Sequence, residues 1–431
     1  MSGSGRSPVA WLVLSGARLL QGLVAAVCGY LLLFSLAALF VKYPLVQEAR
    51  GEDPPSTSEI RGAFHIHSTL SDGQGTPSQI ARAAKRAGLQ FVVITDHNLG
   101  TLSPPTFEHG VLVISGVEVS TWPGHLILVG SARGLDRPEW ELDPVWRGQQ
   151  LGGHTIVAHP VQQLVAWTDA ESAARADGME LYSARTSLIE ALRNPLTLLL
   201  PAAAAYLTNP MHGLMILHRG QPEATEKLLQ ISAREPKLAL CAQDSHGFPP
   251  YEIELRAFSL HIPLTGELQG GLPPDAGQAS KAVIEAIARG RTYCAFDALG
   301  DSRGFAIEGL RGAARRAAVG DGVTIRLPSS APMEARVQVW GGARLEPDGR
   351  KVVFTHPGPV QIEVWAAAPG RLFGRSWKPW IVPSPILVSR PMPERGPEQG
   401  NQSPAHKRTE QRPEDQPSRG GTQHREGGLQ R

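Results

Sequence analysis

The pattern of apolar and polar positions divides the chain into four textures. Residues 22–41 (GLVAAVCGYLLLFSLAALFV) carry no charge. At 1.5 Å rise per residue such a helix is about 30 Å long, the thickness of a hydrocarbon core. It lacks the polar face of a buried soluble helix. The run predicts one membrane-spanning helix over 19–42, behind a short segment 1–18 and ahead of a linker over 43–61. A cleaved signal peptide would have a shorter apolar region and a small-x-small cleavage site, whereas this run ends in LFVKYP. Arg6 and Arg18 on a short leading segment favour a cytoplasmic N-terminus with the remainder translocated.

From 62 to 300 short apolar runs alternate with helical stretches. Strands are predicted at 63–67, 91–95, 111–115, 125–129 and 155–158. Helices are predicted at 77–87 and 281–289, and the Ala- and Leu-rich stretch 171–207 is also read as helical. Its apolar part, 196–207, is too short and too Pro-bounded for a second span. Wholly apolar strands in strand–helix–strand order point to a parallel sheet or barrel. From 304 onward apolar and polar residues alternate, between turn signals such as Gly320-Asp321-Gly322 and Pro347-Asp348-Gly349. That texture predicts a small antiparallel β-sandwich over 301–390. The final stretch, 391–431, is Pro, Glu, Arg, Gln and Gly with almost no apolar residue, and reads as a disordered tail.

Composition narrows the function classes. The 431 residues are 42% hydrophobic and 19% charged, enough to bury a core. A formal net charge of +2 argues against a broad basic face for nucleic acid. Three cysteines, Cys28, Cys241 and Cys294, rule out a disulfide scaffold and a cysteine-based zinc finger.

Histidine and carboxylate carry the candidate chemistry. His65 and His67 form His-x-His on a strand, and period-two geometry points both rings to one side. Asp72 follows in Ser-Asp-Gly. His97 lies in Thr-Asp-His-Asn, Glu118 in Gly-Val-Glu, His159 in Ala-His-Pro, and Asp244 and His246 form Asp-x-His, each behind a predicted strand. His125 opens a strand. The C-terminal rim of an α/β barrel gathers such residues into one site. Neutral imidazole and carboxylate suit Zn, Mn or Fe(II), and nine ligands suffice for two or three ions sharing a carboxylate. His109, His154, His212, His218 and His261 are read as surface or core residues.

This order of motifs, over about 62–300, resembles the PHP (polymerase and histidinol phosphatase) family. The resemblance implies an α/β fold, a distorted (β/α)7 TIM-like barrel, with a centre of two or three divalent ions that mostly hydrolyses phosphoesters. It implies that His65, His67, Glu118 and Asp244 serve one ion, that Glu118 bridges to a second held by His125 and His159, and that Asp72, His97 and His246 serve a third. Residues 290–300 (GRTYCAFDALG) and 378–388 (KPWIVPSPILV) look like the carbaryl-hydrolase (CehA/McbA) branch, which pairs a PHP domain with a C-terminal β-domain.

The expected activity is hydrolysis of a small phosphorylated or ester substrate by a hydroxide that bridges the metals and is held by Glu118, with no side-chain nucleophile. Ser68 and Cys241 are accordingly read as structural. Arg185, His218 and Arg219 are candidates for a substrate anion. The same ligands fit carbamate, carboxylester or amide hydrolysis, and a catalytically silent, membrane-tethered binding module is a further alternative.

Overall fold

The computed structural model describes residues 8–44, 59–310, 315–329, 331, 334–372 and 374–390. The predicted tail and most of the predicted linker lie outside them. The apolar run lies within helix α1, Pro8–Leu39. Its segment Ser15–Leu39 is long and apolar enough, by length and composition, to cross a membrane. Leu19, Leu20, Leu23, Leu32 and Leu36 are exposed along it. Its last turns pack on a helical insertion farther down the chain, where Ala38 meets Ala202, Ala205 and Ile216.

Two sheets position the candidate residues. The first is built on β1 (Glu59–Ile66), wholly buried. β1 lies parallel to β2 (Phe91–Ile94), which lies parallel to β4 (Val111–Ser115); the short β3 (Thr106–Glu108) closes that edge antiparallel. The second runs through β5 (Val117–Thr121), β6 (Gly124–Val129), β7 (His154–Val157), β8 (Gly178–Ser183) and β9 (Leu238–Ala242). β5 to β7 are antiparallel neighbours and β7 to β9 are parallel. Burial of every residue of β2 and β9, and of nearly all of β4, matches their continuous apolar runs.

Among the described residues the expected closed barrel does not form. The two sheets meet at isolated bridges, Ile66 to Ser245 and His97 to Glu118. Between β1 and the end of β9 the contacts are irregular, with Gln243 N–H donating to Phe64 O (3.1 Å) and His67 N–H to Ser245 O (2.9 Å). The cause is local. His65 (φ 64°) and Asp244 (φ 47°) adopt left-handed backbone, which breaks a ladder's repeat.

A second correction concerns 171–207. Only Ala170–Arg175 and the residues after Ser183 are helical; Gly178–Ser183 is the wholly buried strand β8. Buried between β7 and β9, GMELYS has no polar face, so helical and strand patterns are indistinguishable from the residues alone. Helices Ala184–Arg193, Leu200–Tyr206 and Pro210–Leu217 then form the insertion that receives α1.

The first sheet continues through β10 (Ser259–Pro263) and β11 (Tyr293–Ala295) into the C-terminal segment. That segment contains β12 (Ala306–Glu308), β13 (Arg316–Ala318), β14 (Gly322–Arg326), β15 (Ala335–Gly341), β16 (Ala343–Leu345), β17 (Lys351–Phe354), β18 (Gly358–Pro369), β19 (Arg375–Pro383) and β20 (Ile386–Ser389). β19 pairs antiparallel with β11, so one layer of the expected sandwich is an extension of the β1 sheet. The other layer is a separate four-stranded sheet, in the order β12-β14-β17-β16. The alternating pattern holds in β14, where Val323 and Ile325 are buried and Thr324 and Arg326 are exposed. Cys241 and Cys294 form a disulfide between β9 and β11, with Cα atoms 5.8 Å apart.

Candidate metal centre

The centre is built where the two sheets meet. His65 and His67 do turn to one point, their Nε2 atoms 3.0 Å apart. The bulge at His65, rather than a regular two-residue period, produces this convergence. Glu118 Oε2 lies 3.0 Å from His65 Nε2 and 3.2 Å from His67 Nε2. Asp244 Oδ1 lies 3.5 and 3.3 Å from the same two nitrogens. All four side chains are buried. His65, His159 and Asp244 share left-handed backbone, the kind of strain that collects at functional sites.

Around this floor the other five predicted residues divide. His125 Nδ1 and His159 Nε2 both face Glu118 Oε1, at 2.9 and 2.8 Å. Asp72 Oδ2 lies 3.2 Å from His246 Nε2 and 3.9 Å from His97 Nε2, and Asp72 Oδ1 lies 3.6 Å from His67 Nδ1. His97 Nδ1 lies 3.4 Å from Glu118 Oε2. This outer group is open: Asp72 is 55% exposed, His97 25% and His246 15%. The nine residues therefore form one cluster with a buried floor and a solvent-facing mouth.

The donor set fits divalent ions. His65 Nδ1 donates to the Glu180 carboxylate at 2.6 Å, and a carboxylate only accepts. Nδ1 therefore carries a proton, which leaves Nε2, facing Glu118 and Asp244, as the nitrogen that a metal would take in place of a second proton. Lone pairs gathered within 3.0–3.5 Å need a proton or a cation between them. His67 Nδ1, His97 Nδ1 and His159 Nδ1 are buried with no hydrogen-bond partner. Electrostatics agree in sign. Burial pulls His65 down, yet Glu118, Glu180 and Asp244 drive it well above its usual value. Burial works against the Glu118 carboxylate too, but His65, His125 and His159 hold it well below the usual range. Burial lowers His97 and His246 and keeps them neutral, the ligating form.

Three positioning residues escape a sequence reading. Glu180, inside β8, holds His65 and also accepts the His159 N–H at 2.7 Å. Asp96, between Thr95 and His97, accepts from Ser68 N–H (2.7 Å), Ser68 Oγ (2.7 Å) and Ser71 Oγ (2.6 Å), which pins the loop carrying Asp72. Tyr251 donates to His67 O at 2.8 Å. The Thr-Asp-His motif contains the signal for Asp96; Glu180 leaves none, because β8 is buried throughout and its residues show no strand periodicity. Gly73 is needed in that loop, since a Cβ there would collide with the His67 carbonyl.

The candidate anion binders are engaged in other surroundings. His218 is buried against Phe258 and Phe296 and accepts from Lys378 Nζ through its backbone oxygen. Burial drops its pKa to about 3, so its ring is neutral and cannot attract an anion by charge. Arg219 pairs with Glu190 at the surface. Arg185 is half-buried in the field of Glu254, whose carboxyl burial pushes up to about 8. Ser68 Oγ donates to Asp96 and Cys241 is in the disulfide, so neither is available as a nucleophile. His261 lies between Glu59 (2.7 Å) and Asp297 (3.0 Å) in a separate buried network. His109 is exposed beside Ser78.

No family model matches the chain. An uncharacterized protein of Methanocaldococcus jannaschii is 26% identical over 141 residues, which is 29% of this chain and 82% of that protein. Among solved structures, a two-domain protein of Bacteroides vulgatus containing a predicted PHP-like metal-dependent phosphoesterase aligns at TM-score 0.40 and 14% identity, over 78% of this chain and all of that one (100%). An amidohydrolase from Chromobacterium violaceum, with bound sulfate and no metal, aligns at TM-score 0.20 and 16% identity, over 31% of this chain and 84% of that one. Likeness at this level does not carry function, which has to come from the side chains of the site.

Proposed function

We propose that the chain is a metal-dependent phosphoesterase of the PHP type, held to a membrane by α1. The observation that carries this reading is the convergence of His65 Nε2, His67 Nε2, Glu118 Oε2 and Asp244 Oδ1 in a buried floor beneath an open His and Asp rim. His65, His67, Glu118 and Asp244 would hold one ion. Glu118 turns its second oxygen to His125 and His159, so a single carboxylate can serve a second. Asp72, His97 and His246 would hold a third. Bound Zn, Mn or Fe ions would supply Lewis acidity to a phosphoryl group and lower the pKa of a bound water.

The chain's own residues do the rest. Glu180 fixes the His65 tautomer, Asp96 holds the Asp72 loop in place, and the exposed rim admits a substrate from solvent. The two segments that look like the carbaryl-hydrolase branch support that finer reading by position: β11 lies in 290–300 and pairs with β19, which runs into 378–388. A disulfide joining β9 to β11 supports an oxidising, extracytoplasmic location for the site.

The test uses the full chain in detergent, stripped of metal and reloaded with Mn or Zn. It is expected to release phosphate from nitrophenyl phosphate or its diester only when loaded, and Asp244→Ala is expected to do neither. Turnover confined to nitrophenyl acetate or a naphthyl carbamate would replace the phosphoesterase reading with a carbonyl one.

A further inference from the structure

Four large exposed apolar side chains lie beside candidate ligands, while others, such as Leu142 and Trp146, lie on helices without them. Leu70 (55% exposed) lies on the loop between His67 and Asp72. Trp122 (89%) is at the tip of the β5–β6 hairpin, whose strands carry Glu118 and His125. Leu164 (79%) lies five residues past His159, and Phe248 (74%) two past His246. Each therefore lies on a loop that carries a candidate ligand or, for Trp122, on the turn between two strands that do. Large apolar groups exposed around a polar centre mark a surface that meets something apolar.

A second group of exposed leucines, Leu192, Leu196 and Leu207, lies on the insertion that receives α1. That union is specific. Tyr30 Oη donates to Leu196 O (2.5 Å), Ser35 Oγ to Ala204 O (2.7 Å) and Thr208 Oγ1 to Ser35 O (2.7 Å). Asn209 Nδ2 donates to Ala38 O (3.1 Å) and Val41 O (2.9 Å), and Tyr43 Oη lies 2.9 Å from His212 Nδ1. The insertion reaches the centre in turn. Tyr206 and Arg185, both on it, sit in the field of Glu254. Glu254 accepts from Ser245 Oγ, and Ser245 O accepts the His67 N–H. Helix Pro210–Leu217 of the insertion also neighbours helix Tyr251–Glu254, so the element that receives the membrane-competent helix lies next to the one that supports the cluster.

We infer that the centre works at a bilayer surface on an amphiphilic phosphoester, its phosphate at the Asp72, His97 and His246 rim and its apolar part against Leu70, Trp122, Leu164 and Phe248. Tryptophan, phenylalanine and leucine are the side chains that lie in a membrane interface. This inference rests on the phosphoesterase reading above and adds the substrate class.

The experiment uses the full chain reconstituted in phosphatidylcholine vesicles with Mn supplied. Phosphatidic acid is compared with glycerol 3-phosphate, and phosphatidylglycerol with its deacylated counterpart. Within at least one pair, kcat/KM for the acylated member is expected to be larger by about tenfold or more, since burying even one such side chain is enough for that. The Trp122→Ser, Phe248→Ser double variant is expected to bring that ratio towards one. Leu142→Ser, which removes an equally exposed apolar group from a helix without ligands, is expected to leave it intact. Ratios near one in the unaltered chain, or turnover of nitrophenyl phosphate but of no lipid, would overturn the inference and leave the phosphoesterase reading standing. Absence of phosphate release from every compound, nitrophenyl phosphate included, would overturn both.

Discussion

Glu180→Gln is the most informative substitution at the centre because it changes almost no volume. Glu180 accepts two hydrogen bonds, from His65 Nδ1 at 2.6 Å and from the His159 backbone at 2.7 Å. Glutamine has one accepting oxygen and one NH2 group. With its oxygen towards His159, the NH2 faces His65 Nδ1 and drives that ring to the other tautomer, with the proton on the nitrogen meant for a metal. With its oxygen towards His65, the NH2 opposes the His159 N–H. Either way one charge-assisted bond is lost, about 1.5–3 kcal/mol. That corresponds to a roughly 10- to 100-fold weaker metal affinity, the range expected when a ligand's orienting partner is removed. Competition against a chromogenic chelator measures it. Glu180→Asp separates charge from orientation: it keeps the charge but its shorter side chain loses the contacts, so it too is expected to weaken binding. Undiminished affinity in Glu180→Gln would refute the orienting role, and undiminished affinity in Glu180→Asp alone would show that the charge suffices.

Three further outcomes are expected from the structure. His67→Ala and Asp244→Ala are expected to lose metal by elemental analysis, while His109→Ala, exposed at the surface, keeps a full complement. His261 is buried; burial lowers its pKa, but Asp297 and Glu59 outweigh this and raise it to about 9. Its contribution, on the order of 3 kcal/mol, is complete below the unfolded value of about 6.5 and fades as pH rises through about 9. Denaturant midpoints of the wild type should therefore fall over that window, and His261→Gln should flatten the fall. The Cys241–Cys294 link closes a loop of sequence separation 53, a constraint of about 4 kcal/mol on the unfolded chain. Cys294→Ala is expected to lower the denaturation midpoint without reductant and not with it, and peptide mapping should recover the linked pair.

Much of the centre was legible because its chemistry is written in side-chain types at strand ends. All nine predicted ligands come together, and the predicted strands lie within a residue or two of the pattern read from the chain, apart from an earlier start to β1; β5, which carries Glu118, was not predicted, Glu118 having been placed behind β4. What the pattern could not supply was long-range. Glu180 was invisible because a strand buried on both faces has no periodicity to distinguish it from helix. The open seam was invisible because left-handed backbone at His65 and Asp244 is imposed by the fold, not by residue type. The shared sheet was hidden in the pairing of Cys294 with Val382, a contact far apart in sequence. Buried polar networks, such as that around His261, look like ordinary isolated residues until the chain closes on them.

The irregular seam between the two sheets has a mechanical meaning. His65, His67, Asp72 and His97 come from the β1 sheet or its loops, and Glu118, His125, His159, Asp244 and His246 from the other. Any ion held by both groups is a clasp across a joint that backbone closes only with isolated bridges and irregular hydrogen bonds, not with a continuous ladder. Chelation should then do more than silence a catalyst: amide exchange should quicken along the ends of β1 and β9 while the interior of each sheet stays protected. Affinity for metal and the stiffness of this joint would be two readings of one quantity.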